Sequence, residues 1–281
     1  MREVAIVGAG NLGGAVAHLL AKRDAVRTVT LIDDNGRAAA GQALDIAEAA
    51  PIETFSTRVN GTEDLYRAAA ASVVVIADRF GSGGDWQGEE ALMLLKRLTG
   101  IAVNAVILCA GAGQRELIDR GVGELKLASG RLFGTAPEAL AAAARALIAV
   151  AGDGSPLDVS IAILGVPPSH TVIAWEDATI GGFRLTGRVD EPTRRGLAAR
   201  IAALWPPGPH ALAAAAVKAI EVMAGRSRRT VTCFVGSDRA AGIRTRAAAF
   251  PVRLGRTGIV QRIAPSLSVA ERVALETAIN L

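Results

Sequence analysis

The fold of this chain is decided by the stretch Gly8-Ala9-Gly10-Asn11-Leu12-Gly13, which follows the apolar run from Val4 to Val7 directly. The motif opens a helical segment that ends at Lys22. In such a unit the first glycine permits a tight turn, the second lets a pyrophosphate approach the backbone, and the third lets helix and strand pack closely. Asn11 and Leu12 begin the helix, where N–H groups without intrahelical partners and the helix dipole favour an anion. The motif therefore predicts a dinucleotide-binding site.

The end of the next apolar run indicates which dinucleotide binds. Asp33 lies 20 residues after Gly13, the spacing at which an acid hydrogen-bonds the adenosine ribose hydroxyls. The 2′-phosphate of NADP would be repelled by Asp33 and by its neighbour Asp34, and Arg37 alone does not reverse that repulsion. We therefore expect NAD as the cofactor.

Strand-length apolar runs alternate with helical segments through residues 1–130. This alternation predicts an α/β fold with a doubly wound parallel Rossmann sheet, which we assign to a domain spanning residues 1–134. We expect residues 135–281 to form a smaller α+β domain, because turn-forming glycines there separate strands into an antiparallel meander. Its expected strands are Thr230–Val235, Phe250–Leu254 and Gly258–Ile263.

Composition excludes several classes of function. The net charge is +4 and the densest basic cluster is Arg226–Arg229, but no aromatic residues interleave with it as nucleic-acid stacking requires. No apolar run is long enough to span a membrane.

Cys109 and Cys233 lie in apolar runs without partners at metal-ligand spacing, so we expect two core residues and no metal. No export signal is visible at the N-terminus, so we expect a cytoplasmic protein.

Beyond the glycine motif, the chain resembles the L-lactate and malate dehydrogenases over nearly its whole length. The resemblance is carried by Gly41–Ala47, by the run from Ile163 through Trp175 to Gly182, and by Ala249–Gly255 with Gly258–Val260. It implies the lactate/malate dehydrogenase-like fold and NAD-dependent hydride transfer to or from a small 2-oxo or 2-hydroxy acid. It also implies a homodimer or higher homo-oligomer, because the Gly41–Ala50 helix resembles the family's subunit contact.

Most of the family's catalytic groups are replaced in this chain. Pro167 falls where the resemblance places the catalytic histidine, and Glu138 falls at the carboxylate that orients that histidine. The substrate-binding arginine falls at Ala141, and the two arginines of the mobile loop fall near Ser82 and Gly88. A positioned acid or base contributes about 10²- to 10⁴-fold in rate. We therefore do not expect ordinary malate or lactate turnover.

A few residues are candidates to replace the missing groups. His170 and His210 are the candidate proton carriers, with exposed loop histidines as the competing interpretation. Arg115, beside Gly111-Ala112, is the candidate cation, with a solvent-exposed arginine as the alternative. Arg79 stands where the family has a small glycine near the dinucleotide; it either pairs with a phosphate, as we expect, or obstructs the site.

Three hypotheses of function follow from these residues. The first is an NAD-binding relative of these dehydrogenases whose oxidoreductase activity is lost or altered to another substrate. The second is a non-catalytic NAD-binding or interaction protein. The third is an active NAD-dependent malate or lactate dehydrogenase.

Overall fold

The first half of the chain folds around six parallel strands. The computed structural model describes residues 1–81, 84–236 and 246–280. The strands lie in the order β3-β2-β1-β4-β5-β6, so the chain reverses direction across the sheet between β1 and β4. This reversal creates the crevice in which Rossmann folds bind their ligands. The strands are β1 (Glu3–Val7), β2 (Thr28–Ile32), β3 (Arg58–Thr62), β4 (Val73–Ile76), β5 (Val106–Cys109) and β6 (Leu132–Gly134).

Helices cover this sheet because its central strands are apolar on both faces. Every residue of β4 is buried, which leaves neither face of the strand for solvent. The helices of this half are α1 (Asn11–Lys22), α2 (Gly36–Glu48), α3 (Ala50–Glu53), α4 (Gly88–Ile101) and α5 (Arg115–Gly123), with a 3-10 helix at Leu65–Ala70.

The second half adds further strands to the same sheet and forms a small separate sheet. Its helices are α6 (Ala136–Ala151), α7 (Glu191–Ala202), α8 (Pro209–Met223) and α9 (Val269–Asn280), with a 3-10 turn at Leu185–Gly187. Its strands are β7 (Val159–Ser160), β8 (Ile163–Val166), β9 (His170–Ile173), β10 (Thr179–Ile180), β11 (Phe183–Arg184), β12 (Val231–Val235), β13 (Ala248–Gly255) and β14 (Gly258–Arg262).

The antiparallel meander β12-β13-β14 confirms the expected pairing. The sequence did not indicate that the meander continues the parallel sheet, but β12 pairs antiparallel with β6, and β13 is followed by β8 and β9. Strands β7, β10 and β11 form the separate three-stranded sheet.

The two largest apolar cores among the described residues reflect this arrangement. The larger core joins the parallel strands to α8, β12 and β13 and includes both Cys109 and Cys233, which are free and fully buried as expected. The smaller core surrounds the apolar face of α6 together with β7, β10 and α7. The division of the chain at residue 134 stays a prediction.

The terminal helix begins as its sequence indicates. The Ser268 N–H donates to Glu271, and the Glu271 N–H donates back to the Ser268 hydroxyl, at 2.7 and 3.3 Å. This reciprocal capping box satisfies backbone donors that the first turn cannot. Among the described residues, no helix is long and apolar enough to cross a membrane.

Candidate functional site

The glycine loop lies between β1 and α1, and its conformation excludes larger residues. Gly8 has a φ of +108°, and a Cβ there would lie 2.3 Å from the Asp78 carbonyl oxygen. A Cβ on Gly13 would lie 2.0 Å from the Gly8 carbonyl oxygen, because α1 packs directly against the turn. The close approach predicted for these glycines is present in the structure.

Asp33 ends β2 beside this loop and is only 7% exposed. Its Oδ2 accepts hydrogen bonds from the Ala9 N–H at 2.8 Å and the Phe80 N–H at 3.0 Å. Its Oδ1 accepts from the Asn35 N–H at 2.9 Å. These three donors fix the carboxylate at the crevice, where unused lone pairs can accept ribose hydroxyls.

A cleft of about 260 Å³ adjoins Asp33. Val7 and Ile32 supply apolar walls from the ends of β1 and β2, and Trp86 supplies an aromatic surface from the loop before α4. Acids border the opening, including Asp33 and Asp34. A cleft with apolar walls beside the acid that we predict to bind the ribose is suited to an adenosine group.

A second carboxylate, that of Asp78, occupies the N-terminus of α1. Its Oδ1 accepts from the Leu12 N–H at 3.0 Å and from the Gly13 N–H at 2.9 Å. A Cβ placed on Gly10 would lie 2.4 Å from the Asp78 carboxyl carbon. The carboxylate therefore fills the space that the second glycine of such a motif leaves for a pyrophosphate.

Asp85 adds a third carboxylate at the same edge of the sheet. Its Oδ2 accepts from the Gly113 N–H at 2.6 Å, and the backbones of Asp78 and Asp85 form an isolated antiparallel bridge. Burial raises the pKa of Asp85, the Gly113 N–H lowers it, and the nearby Asp78 charge raises it further, so the pKa is raised on balance. The loop after β4 thus brings two acids, Asp78 and Asp85, to the crevice.

Arg79 contacts Trp86 and Glu90. Its guanidinium lies 4.5 Å from the centre of the Trp86 ring and pairs with Glu90 at 3.1 Å. Its predicted role in binding a cofactor phosphate stays a prediction and would require these contacts to change.

Glu138 is held by two cations and one backbone donor. Its Oε1 accepts from Lys218 at 2.6 Å and from Arg145 at 3.0 Å, and its Oε2 accepts from the Thr232 N–H at 2.8 Å. The side chain is only 3% exposed. The structure therefore brings Glu138 together with Lys218 and Arg145, and not with either candidate histidine.

The candidate proton carriers lie on different elements. His170 is half-buried at the start of β9, where it pairs in register with Val166 across the turn that contains Pro167. His210 is exposed in the first turn of α8. Pro167 itself is buried. The position at which the resemblance places the catalytic histidine therefore holds a residue that cannot ionise.

Ala141 and Gly88 stand where the resemblance places arginines, and Arg115 is the candidate replacement cation. Ala141 is fully buried within α6, and Gly88 is the first residue of α4. Arg115 donates to the Ala247 carbonyl oxygen at 3.2 Å and lies 3.8 Å from Asp119. These two groups hold its guanidinium. Ser82 lies outside the described residues.

The chain is similar to known proteins over nearly its whole length. Residues 2–114 match the family model described as lactate/malate dehydrogenase, NAD binding domain. A malate dehydrogenase of Thioalkalivibrio sulfidiphilus is 30% identical in an alignment 292 positions long, gaps included, that covers 97% of this chain and 94% of that protein. The chain belongs to the lactate/malate dehydrogenase family.

Solved structures show the same fold. The malate dehydrogenase of Salinibacter ruber superposes with a TM-score of 0.86 at 23% identity, covering 99% of this chain and 94% of that one. The lactate dehydrogenase of Cryptosporidium parvum, solved with lactic acid and nicotinamide adenine dinucleotide, superposes with a TM-score of 0.87 at 20% identity, covering 99% and 95%. The predicted lactate/malate dehydrogenase-like fold is confirmed.

The family's cofactor is NAD, and the N-terminal region of this chain is its NAD-binding domain. On the adenosine side the residues fit, because Asp33 and the adjoining cleft are suited to a ribose and an adenine. On the pyrophosphate side they do not fit as arranged, because the Asp78 carboxylate takes the N–H groups of Leu12 and Gly13.

Sequence reasoning missed Asp78 and Asp85. The signal for Asp78 was its position two residues after β4, since β1 and β4 are adjacent parallel strands and the segments that follow them must meet. The bond from the Gly10 N–H to the Asp78 carbonyl oxygen, at 3.0 Å, shows this meeting. Asp85 gave no such signal, because a contact made by a loop does not follow from strand order.

Proposed function

We propose that this chain is an NAD-binding member of the lactate/malate dehydrogenase family in which ordinary 2-hydroxy acid dehydrogenase activity is lost or altered. The observation that carries the proposal is Pro167, a buried proline in the β8–β9 turn, where the resemblance places the family's catalytic histidine. A proline side chain cannot accept or donate the proton that accompanies hydride transfer.

The charges of the crevice support the same proposal. A 2-oxo acid needs a cation to pair with its carboxylate and another to polarise its carbonyl. In this chain the crevice receives the carboxylates of Asp78 and Asp85, whereas the guanidinium of Arg79 pairs with Glu90. A substrate of this site would therefore be a small molecule without a carboxylate group.

The proposal is tested by steady-state turnover with NADH and either oxaloacetate or pyruvate. The malate dehydrogenase of Thioalkalivibrio sulfidiphilus is the matched control, measured in the same buffer. We expect kcat at saturating NADH to be lower in this chain by about three orders of magnitude or more, since the acid–base contribution alone is about 10² to 10⁴. Turnover within tenfold of the control would contradict the proposal.

The proposed assembly is a homodimer through α2 and α3. Leu44 is 60% exposed on α2 and Ile52 is 85% exposed on α3, and the two helices follow one another in the chain. Large apolar side chains exposed on these consecutive helices support α2 and α3 as the subunit contact.

A further inference from the structure

The carboxylate of Asp78 takes the place of a ligand anion at the glycine loop. The first N–H groups of an α-helix have no intrahelical acceptor, and the helix dipole adds partial positive charge there. Proteins with this motif use that combination to hold a phosphate. In this chain the N–H groups of Leu12 and Gly13 are already satisfied, at 3.0 and 2.9 Å, by one oxygen of Asp78.

Steric and charge effects act together at this position. The carboxyl group lies directly over Gly10, where even one added carbon atom would come within 2.4 Å of it. A pyrophosphate entering the same space would meet both the volume of this group and its negative charge. The Asp85 carboxylate lies close enough to add to the repulsion, since its own pKa is raised in part by the Asp78 charge.

The arrangement leaves one way to admit a pyrophosphate. The Asp78 main chain is tied down, because its carbonyl oxygen accepts from the Gly10 N–H at 3.0 Å. Its side chain is only half-buried, so it can rotate away while the loop keeps its shape. When the side chain rotates away, its two charge-assisted hydrogen bonds are lost. The free energy of this loss weakens the binding of any ligand that needs those N–H groups.

We propose that Asp78 is a specificity-determining residue that acts as an internal competitor of the pyrophosphate in the NAD site. The adenosine cleft beside Asp33 stays accessible, whereas the phosphates of a dinucleotide add little affinity. The chain therefore binds NAD weakly, with adenosine contributing most of the recognition. The inference rests on the proposed function, because it concerns the affinity of the same NAD site.

The test compares ligands with and without the pyrophosphate, measured by calorimetry or by NMR titration where binding is weak. The probes are adenosine, ADP-ribose and NAD. The variants are Asp78→Ala, which clears the space, and Asp78→Asn, which keeps an oxygen for the two N–H groups but removes the charge. Glu276→Gln, an exposed residue on α9, controls for the change of net charge.

We expect Asp78→Ala to tighten ADP-ribose and NAD binding by roughly 10- to 100-fold, which corresponds to about 1.4 to 2.8 kcal/mol. Adenosine binding should change by less than about threefold, which is within the error of such comparisons. Asp78→Asn should give an intermediate gain, and Glu276→Gln none. Thermal unfolding of each variant shows whether it is folded.

Two results would overturn the inference, and they differ in what they say of the proposed function. Equal and tight ADP-ribose binding by the unmodified protein and Asp78→Ala would remove the role of Asp78 and leave NAD binding intact. No binding of ADP-ribose or NAD by any folded variant would remove both the inference and the proposed NAD-binding function.

Discussion

Asp33 and Ala9 join the end of β2 to the glycine loop, because the Ala9 N–H donates to the Asp33 carboxylate at 2.8 Å. The acid that we predict to bind the ribose therefore also positions the loop that we predict to bind the phosphates. With the Phe80 N–H on the same oxygen, this acid also holds the start of the loop after β4. The Asp33 carboxylate is thus hydrogen-bonded to both loops.

Replacing Asp33 should weaken the preference for NAD over NADP. Asp33→Asn keeps an acceptor for the Ala9 N–H but removes the charge that repels a 2′-phosphate. Like charges near 4 Å repel by about 1 to 4 kcal/mol, so the ratio of the two dissociation constants should fall by roughly tenfold. Calorimetry with both cofactors measures the ratio. An unchanged ratio, or tighter NADP binding by the unmodified protein, would show that Asp33 does not select the cofactor.

The places of the glycine loop and of Asp33 in the fold could be predicted, because the motif has particular residue types at a fixed spacing. Their roles in binding NAD stay predictions. The apolar runs at 29–32 and 73–76 likewise predicted buried parallel strands, since a strand that is apolar on both faces must be covered on both sides. The continuation of the sheet through β12 was not predictable, because pairing between distant strands leaves no local pattern in the sequence. For the same reason the partners of Glu138, from α8 and β12, could not be foreseen.

Glu138 should stabilise the fold through its ion pairs. In Glu138→Gln the side chain keeps its shape, but Lys218 and Arg145 lose the acid that they share. Breaking a fully buried pair costs about 3 to 5 kcal/mol. Because these cations are 28% and 23% exposed, we expect a smaller loss of about 2 kcal/mol.

Urea unfolding measures this loss. The matched control is Glu191→Gln, whose pair with Arg195 is mostly exposed and should contribute less than about 0.5 kcal/mol. Equal effects of the two substitutions would show that the Glu138 cluster is not a stabilising element.

The homodimer should depend on the exposed apolar surface of α2 and α3. Light scattering of the unmodified protein should give about twice the 28.8 kDa mass of one chain. Leu44→Glu places a charge on this surface and should shift the mass toward the monomer. Leu157→Glu is the control, because Leu157 is 86% exposed and lies far from these helices in the chain. A mass of one chain at every concentration would refute the dimer.

Asp85 should contribute more to the stability of the folded state in acid than at neutral pH. Its pKa is raised in the folded protein, so the folded state binds the proton more tightly than the unfolded state does. This contribution is present below the unfolded pKa and is lost as the pH rises through the folded pKa. Asp85→Asn, which can still accept from the Gly113 N–H, should therefore raise the melting temperature at pH 7 and lose that advantage at low pH. A melting difference that does not change with pH would exclude titration of Asp85 as its cause.

Restoring the missing histidine alone should not restore turnover. Pro167→His supplies a proton carrier, but a 2-oxo acid would still bury its carboxylate without a partner, because Ala141 stands at the position of the substrate-binding arginine. An uncompensated buried charge costs about 3 to 5 kcal/mol, which offsets much of the about 10²- to 10⁴-fold that the histidine offers. We expect the single variant to gain less than about tenfold in kcat/KM with oxaloacetate.

Adding Ala141→Arg to Pro167→His should produce a gain larger than the product of the two single gains, because residues that act as a unit couple in a double-mutant cycle. Pro168→His is the positional control, since it places an imidazole on the adjacent, exposed proline. If Pro168→His gives the same kcat/KM as Pro167→His, the gain does not depend on the position of the imidazole.

If the unmodified protein reduces oxaloacetate at an ordinary rate, the placement of Pro167 at the catalytic position is wrong. In that case His170, which follows it at the start of β9, is the proton carrier, and His170→Ala should abolish the activity.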